Sequence, residues 1–534
     1  MKIKFVSVED GIYAIGFRKV AAVARSIKPE TEIYYISPRG SVLSFFNLLF
    51  KPGKHDYELS TGDVERICTE LADADMVCFS SMTSFAELTK RVIKGILQIN
   101  PKVYIVWGGI HPIVYPEDAI QSANAICIGE GETAFKQFLE AYERSDDYTT
   151  TNNFWFKESD EIIKNAFLHL HTPEELGNFP FPIYMDNEKI FETRKGFVPL
   201  TVKRHISNYG VSYWTVWTIG CPYKCTFCSN SKFIENDKHY RKIRYSSVDY
   251  IIAEVKEALR KGPYISSVYF ADDSFMALPI EVMERFAKKW REEINIPFMI
   301  PGVTPGLVKK EKFKILIWGG MQRVRMGIQS GSNRLLKFYK RPNRPGLLLQ
   351  ETSIIADFSD YMIPPSYDII LDNPIETRQD VLDTLELLYS IRRPYVLNLY
   401  ALKVLPNTDL AFQFQQLGIE HKDITDGYMV PTATLANVAV YMLAVFTPPR
   451  VIFDFFVKRA KPYTEDQSLY PWLMFIFRVL HLIKQGVSNL WHMNFVFLPG
   501  RVGWLLWKLN IIKLWQNNVL KNPTEVMNPN SVVS

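Results

Sequence analysis

Cysteine is scarce: there are six in 534 residues, and three of them fall between positions 221 and 228. That distribution makes poor disulfide arithmetic and good metal-ligand arithmetic, and it points to a reducing, cytoplasmic setting. Long apolar runs are also missing. No stretch offers the roughly 18 uninterrupted apolar residues of a membrane span, and the opening MKIKFVSVED meets acidic residues before any signal-like run. A net charge of only +5 gives no dense basic face, so no nucleic-acid partner is expected. Neither a G-x-S-x-G elbow nor a Walker A loop occurs; Gly53-Lys54 is followed by His55 and lacks the upstream glycine. There is no low-complexity tract.

What the chain does contain is alternation, and its length suggests two or three domains. Over residues 1–145 the short apolar runs KIKFVSV, TEIYYIS, ADMVCFSS, KVYIVWGG and ANAICIGE are mostly separated by helix-like stretches. That pattern predicts a doubly wound, Rossmann-like α/β domain around a parallel sheet. Ligands bind such sheets at the C-terminal ends of the strands. Those ends carry Ser80-Ser81-Met82-Thr83, Gly108-Gly109-Ile110-His111-Pro112 and Gly129-Glu130-Gly131-Glu132. Residues 146–200 are polar and proline-containing and read as a linker. From 201 to 410 a second alternating run has the strand candidates YWTVWT, SSVYFADD, PFMIPGV, RVRMGIQS, SYDIILDN and LNLYALKV, predicting a partial (β/α)6 barrel. Residues 411–534 are expected to be mainly helical, contacting either substrate or a membrane surface.

The first barrel strand runs into Cys221-Pro222-Tyr223-Lys224-Cys225-Thr226-Phe227-Cys228. C-x3-C-x2-C spacing lets three thiolates meet three irons of one cubane and leaves the fourth iron open. A zinc site is the plainer alternative. It needs a fourth ligand, for which His239 is nearest, and C-x2-C pairs are commoner in such sites.

This loop, with Phe227 before its last cysteine, resembles the signature of the radical SAM superfamily. The resemblance implies a [4Fe–4S] cluster on Cys221, Cys225 and Cys228. Its open iron would chelate S-adenosylmethionine, which is cleaved to a 5′-deoxyadenosyl radical. It further implies S-adenosylmethionine contacts from Phe227, from Asp272 and Asp273 after the second strand, and from Gln329 and Ser330 after the fourth. The family usually has glutamate where Gln329 stands, and many relatives have glycine at Asp372 in Asp372-Asn373-Pro374-Ile375-Glu376-Thr377. An acidic pair after a strand is also an ordinary helix cap.

The first domain resembles the cobalamin-binding domain of the B12-dependent radical SAM enzymes. That implies cobalamin contacts from Ser80, Ser81, Thr83, Gly108, Gly109, His111, Gly129, Glu130, Gly131 and Glu132. The cobalt-ligating histidine of cobalamin mutases has no counterpart in Glu9-Asp10-Gly11-Ile12-Tyr13, and a lone His111 before Pro112 more often structures a loop. An empty scaffold is the competing reading of this sheet. Cys78 and Cys127 sit inside apolar strands and read, with Cys68, as core residues rather than a second cluster. No cysteine follows Cys228.

Together the resemblances imply a cobalamin-dependent C-methyltransferase acting on an unactivated carbon, served by an external flavodoxin- or ferredoxin-type electron donor. The rivals are a radical cyclase or rearrangement enzyme and, from another class, a cobalamin-binding regulatory module with a zinc site. Between Asp466 and Glu525 there is no acidic residue, while Arg478, Lys484, Arg501, Lys508, Lys513 and Lys521 punctuate a stretch rich in tryptophan. Cationic Trp-rich helices suit a membrane interface as well as a barrel cap. The first of these implies a lipid or isoprenoid substrate and peripheral membrane contact.

Overall fold

The computed structural model describes residues 1–9, 11–38, 59–159, 161–342, 344–420, 431–466, 468–492 and 501–511. Asp10, the Gly53-Lys54-His55 string and Trp515 lie outside that set.

Five apolar runs form the expected parallel strands: β1 (Ile3–Val8), β2 (Glu32–Ile36), β3 (Met76–Ser81), β4 (Tyr104–Gly108) and β5 (Ala125–Cys127). Side chains on both faces are buried, as continuous apolar runs require when helices cover a sheet from both sides. Cys78 and Cys127 are buried in one of these cores and Cys68 in the other.

The expected linker is a correction. Residues 146–200 supply two antiparallel hairpins, β6 (Phe154–Glu158) with β7 (Glu161–Lys164) and β8 (Glu188–Glu192) with β9 (Gly196–Pro199). They add to opposite edges, giving a nine-stranded sheet in the order β7-β6-β5-β4-β3-β1-β2-β8-β9. The reason is edge chemistry: β2 and β5 would otherwise expose unpaired backbone, and short, half-exposed hairpins close both sides.

The second unit begins with β10 (Ser212–Thr215), passes through the small antiparallel pair β11 (Thr218–Ile219) and β12 (Arg244–Tyr245), and continues with β13 (Ser267–Phe270), β14 (Phe298–Val303), β15 (Met321–Gln329), β16 (Ser366–Leu371) and β17 (Val396–Ala401). The six main strands form an all-parallel sheet, β10-β13-β14-β15-β16-β17. Alternation sorts its two faces. Val324, Met326 and Ile328 of β15 join the core beneath the outer helices, whereas Arg323, Arg325 and Gly327 are half-buried on the other face, toward the lumen.

The C-terminal region is helical where described. Leu435–Val445 is buried against the barrel, and Pro471–Trp491 packs on it through Met474. His481 Nε2 lies 3.0 Å from the Leu397 carbonyl of the edge strand β17. The tryptophans divide: Trp504 and Trp507 pack on the barrel core, whereas Trp472 and Trp491 are exposed. Among the described residues no helix is long and apolar enough to cross a membrane.

Candidate active site where the two sheets meet

Gly220 turns the chain into the cysteine loop at φ 108°, with the carbonyls of Tyr240 and Lys242 so close that a Cβ would sit 2.7 and 2.6 Å from them. No other residue type fits there without moving backbone. The loop is then pinned on both flanks. The Cys221 amide donates to the Tyr240 carbonyl at 3.2 Å, and the Thr226 amide donates to that of Tyr339 at 3.1 Å. Phe227 meets the Tyr339 ring edge-on at 5.2 Å, so it packs rather than hanging free.

Cys221 and Cys225 are buried, Cys228 is half-buried, and all three are free of disulfides. Burial pushes the Cys228 thiol up to about 12, which leaves it neutral unless a metal cation favours the thiolate. Two donors address the sulfurs as acceptors: Ser274 Oγ donates to Cys221 Sγ at 3.4 Å, and Arg341 Nη1 to Cys225 Sγ at 3.5 Å. Arg341 also donates to the Gly327 carbonyl, tying the loop to β15. Hydrogen bonds onto sulfur are what cluster thiolates call for, so the residues fit an iron–sulfur group. A mononuclear zinc site fits less well. It needs a fourth ligand, and His239, the nearest candidate, is exposed with its Nδ1 2.9 Å from Asp237.

The acidic pair after β13 splits. Asp272 is buried and accepts the backbone amides of Trp217, at 3.3 Å, and Thr218, fixing the chain just ahead of the cysteine loop. Burial, only partly offset by these bonds, raises its carboxyl pKa to about 7. The two buried amides need an acceptor, and Asp272 supplies it from the strand end that the resemblance assigns to S-adenosylmethionine. Asp273 instead faces a cavity. Gly302 of β14 makes room for this turn, since a Cβ there would lie 1.9 Å from the Asp272 carbonyl oxygen.

Gln329 ends β15 buried and left-handed, at φ 69°, beside a register shift. Ser330 is also turned inward, its Oγ 3.1 Å from Thr384 Oγ1. Asp372 accepts from the Thr432 amide at 2.6 Å and from Asn437 at 2.7 Å, so it anchors the C-terminal region.

In the first sheet the expected cobalamin residues divide in the same way. Gly109, at φ 93°, lies against Ser80 and Ser81, and Gly129 against Asn153, with ideal Cβ positions 2.8 and 2.7 Å from the nearest atoms. Gly131 starts the next helix with its Cβ position 3.0 Å from Val20, and Gly108 closes β4. Ser81 accepts from Trp107 Nε1 at 3.0 Å. His111 is 2% exposed; its Nε2 lies 3.0 Å from Asp118, and its Nδ1 is buried without a hydrogen-bond partner. Glu130 likewise does not stand free. Arg244 of β12 donates to it at 2.6 Å, and His171 Nδ1 lies 3.0 Å away, with Glu132 4.0 Å from the same nitrogen. Burial opposes ionisation of Glu130, but hydrogen bonds from His171 and Arg244 outweigh it and hold the carboxyl at about 2. Thr83 is also buried, with its Oγ1 lacking a hydrogen-bond partner.

Thr83 helps line a cavity of about 270 Å³ between the units. Met82, Ser84 and Ile110 contribute from the first sheet; Ser229, Asn230, Tyr240 and Asp273 contribute from beside the cysteine loop. Small side chains, an orphan hydroxyl and close backbone fit a cofactor approaching the strand ends.

Residue matches identify both domains. Residues 215–388 match the radical SAM superfamily model and residues 50–139 the B12 binding domain model. The chain carries a radical SAM domain and a B12-binding domain. Those domains bring a [4Fe–4S] cluster, S-adenosylmethionine and cobalamin. The chain is 24% identical over 333 residues to an uncharacterised methyltransferase of Pyrococcus horikoshii, spanning 62% of this chain and 67% of that one. It is 24% identical over 181 residues to the anaerobic magnesium-protoporphyrin IX monomethyl ester cyclase of Synechocystis, covering 33% of each. In fold it resembles the cobalamin-dependent S-adenosylmethionine radical enzyme OxsB, with TM-score 0.59 and 13% identity over 97% of this chain and 84% of that one. It likewise resembles the radical S-adenosylmethionine methyltransferase TsrM of Kitasatospora setae, with TM-score 0.56 and 12% identity over 78% of this chain and 76% of that one.

The radical SAM lumen carries aromatic and charged side chains in contact with one another, Tyr269 bonding to Arg325. Trp214 stacks on Tyr269 at 3.8 Å, and Tyr13 of the first unit meets Trp214 at 4.1 Å with the rings tilted by 30°. On the same lumen face, Arg325 Nε donates to both Asp368 oxygens at 2.8 Å and its Nη2 to Tyr400 at 2.9 Å, while Asn398 Nδ2 donates to Asp368 at 2.8 Å. Sequence reasoning missed Ser274, Arg341, Arg244, Asn230 and this network. Only their period-two placement on strands would have flagged Arg325, Asp368, Asn398 and Tyr400 as one face.

Proposed function

We propose that this enzyme is a cobalamin-dependent radical methyltransferase acting on an unactivated carbon of a small amphiphilic molecule. One observation carries the reading: a single loop presents three thiols at the mouth of a parallel barrel, beside a cavity walled on its far side by strand ends of the B12-binding sheet. When bound, the cluster supplies an electron to S-adenosylmethionine, and cobalamin supplies the methyl-carrying chemistry. The remaining work belongs to the chain. Cys221, Cys225 and Cys228 hold iron, and Ser274 and Arg341 donate to two of the sulfurs and so stabilise their charge. Asp273, beside Asn230 on the cavity wall, accepts hydrogen bonds from the amino group of S-adenosylmethionine. Thr83 supplies a hydroxyl toward the corrin side. Trp214 and Tyr269 offer an apolar face to the substrate skeleton, while the Arg325–Asp368–Asn398–Tyr400 network binds its polar end and keeps it in register.

A lumen face that combines stacked aromatics with a charged network supports a lipid-like or isoprenoid substrate. The electron is delivered by an external flavodoxin- or ferredoxin-type protein. Similarity to the Synechocystis cyclase favours a second reading, radical ring closure, which product mass separates: methylation adds a CH2 unit and cyclisation does not.

The test is anaerobic reconstitution with iron, sulfide and cobalamin, followed by incubation with S-adenosylmethionine and a reductant. The expected product is 5′-deoxyadenosine, abolished by Cys225→Ala. Undiminished product from that variant, or an iron-free wild type after reconstitution, overturns the assignment.

A further inference from the structure

The helix Pro471–Trp491 leaves an apolar face without a partner among the described residues. Trp472, Ile476, Leu480, Ile483, Val487 and Trp491 are all exposed, the two tryptophans at 80% and 76%. Their spacing of four, four, three, four and four residues keeps them within one stripe along the helix. The opposite side is already used. Met474 is buried in a cluster with Val438 and Tyr441, His481 reaches Leu397 O, and Lys484 donates to the Ala444 carbonyl at 2.7 Å. The helix is therefore held in place by the barrel and presents its second apolar side outward. Exposed patches of this extent on a folded protein mark an interaction surface.

Charge selects the occupant. No acidic residue occurs on this helix or anywhere between Asp466 and Glu525, while five lysines and arginines do besides the inward-turned Lys484. The neighbouring helix Arg450–Arg459 shares the cluster through Phe456 and exposes Val451 and Phe455, with the Arg459 guanidinium 4.0 Å over the Phe455 ring. Lys458 and Lys461 are exposed beside it. A second copy of the chain would bring cations against cations. A surface of anionic headgroups over acyl chains complements both the charge and the stripe, and tryptophans at both helix ends suit the headgroup layer.

We propose that Pro471–Trp491 lies flat on an anionic lipid surface and docks the enzyme there as a peripheral protein. Nothing in this inference depends on the reaction the barrel performs.

The experiment floats the full-length, cluster-reconstituted protein with vesicles of phosphatidylcholine alone and of phosphatidylcholine mixed with phosphatidylglycerol. Wild type is expected to float with the mixed vesicles and to be released by salt. The triple variant Trp472→Ser, Ile483→Ser, Trp491→Ser should bind about tenfold less. A milder pair, Ile476→Gln with Val487→Gln, should fall between. Iron content and melting temperature check that each variant folds. Wild type that stays with neither vesicle overturns the proposal, and so does binding that neither set of substitutions weakens. A wild-type dimer that the triple variant converts to monomer, without vesicle binding, also overturns it and assigns the stripe to self-association.

Discussion

The carboxylates of Asp272 and Asp273 leave the same strand end, one satisfying the amides of Trp217 and Thr218 and the other facing the shared cavity. Asp272→Ala strands two buried amides and is expected to cost about 2 kcal/mol in thermal or denaturant unfolding. Asp273→Ala should leave the melting temperature nearly unchanged and raise the KM for S-adenosylmethionine about tenfold, roughly the loss of one charge-assisted hydrogen bond. Equal destabilisation by both substitutions would remove the distinction. Gly302→Ala provides a backbone counterpart. Its new methyl collides with the Asp272 carbonyl, so the turn must shift, and a loss of about 3 kcal/mol with lower iron retention is expected. In the sequence the acidic pair was visible as a candidate, but nothing in two adjacent aspartates says which one turns inward. That is fixed by the β10–β11 amides, which only the fold brings near.

At the level of elements, the end of β5 grips the hairpin that leads into the cysteine loop. Arg244 of β12 pairs in register with Ile219 of β11, two residues before Cys221, and its guanidinium holds Glu130 of the first sheet. Both side chains are nearly buried, so Arg244→Met should destabilise the enzyme by about 3–5 kcal/mol, mostly by leaving the Glu130 carboxylate unpaired. The pH dependence follows from two shifts of opposite sign. Glu130 is depressed from 4.5 to about 2, so its contribution, about 3 kcal/mol, is complete above pH 4.5 and is lost as pH falls toward 2. Burial opposes protonation of His171, but the bond to Glu130 and the charge of Glu132 raise its pKa above 6.5. Its contribution is complete below pH 6.5 and fades as pH rises through the raised value. The clamp is therefore strongest between about pH 4.5 and 6.5. Unfolding midpoints measured across pH should show both limbs, and Arg244→Met should flatten the acid one. The resemblance to cobalamin-binding domains implied Glu130 as a cofactor contact. The side chain that holds it in the fold, Arg244, lies 114 positions away and belongs to no motif.

Over the whole molecule, the parallel strands were legible because buried strands are written as continuous apolar runs, and the cluster loop was legible because thiolate spacing is local. The hairpins of 154–199 were not, since β6 reads FWFKE and β7 EIIK, too short and too polar to stand out from a loop. They nevertheless complete the first sheet. A fragment ending at 145 leaves the edges of β2 and β5 open, whereas one ending at 200 keeps all nine strands paired. The shorter fragment is expected to aggregate, and the longer one to show the better-defined thermal transition by circular dichroism. The reverse order would mean that the hairpins are dispensable. The Glu130–Arg244 contact has a reach beyond stability. Since the cysteine segment, proposed above to hold iron, is steadied from the B12-binding half, a swing of one half against the other is expected to displace the sulfurs. Changes in how the halves sit together, on loading either nucleoside or corrinoid, should register as a displaced iron signal in electron paramagnetic resonance.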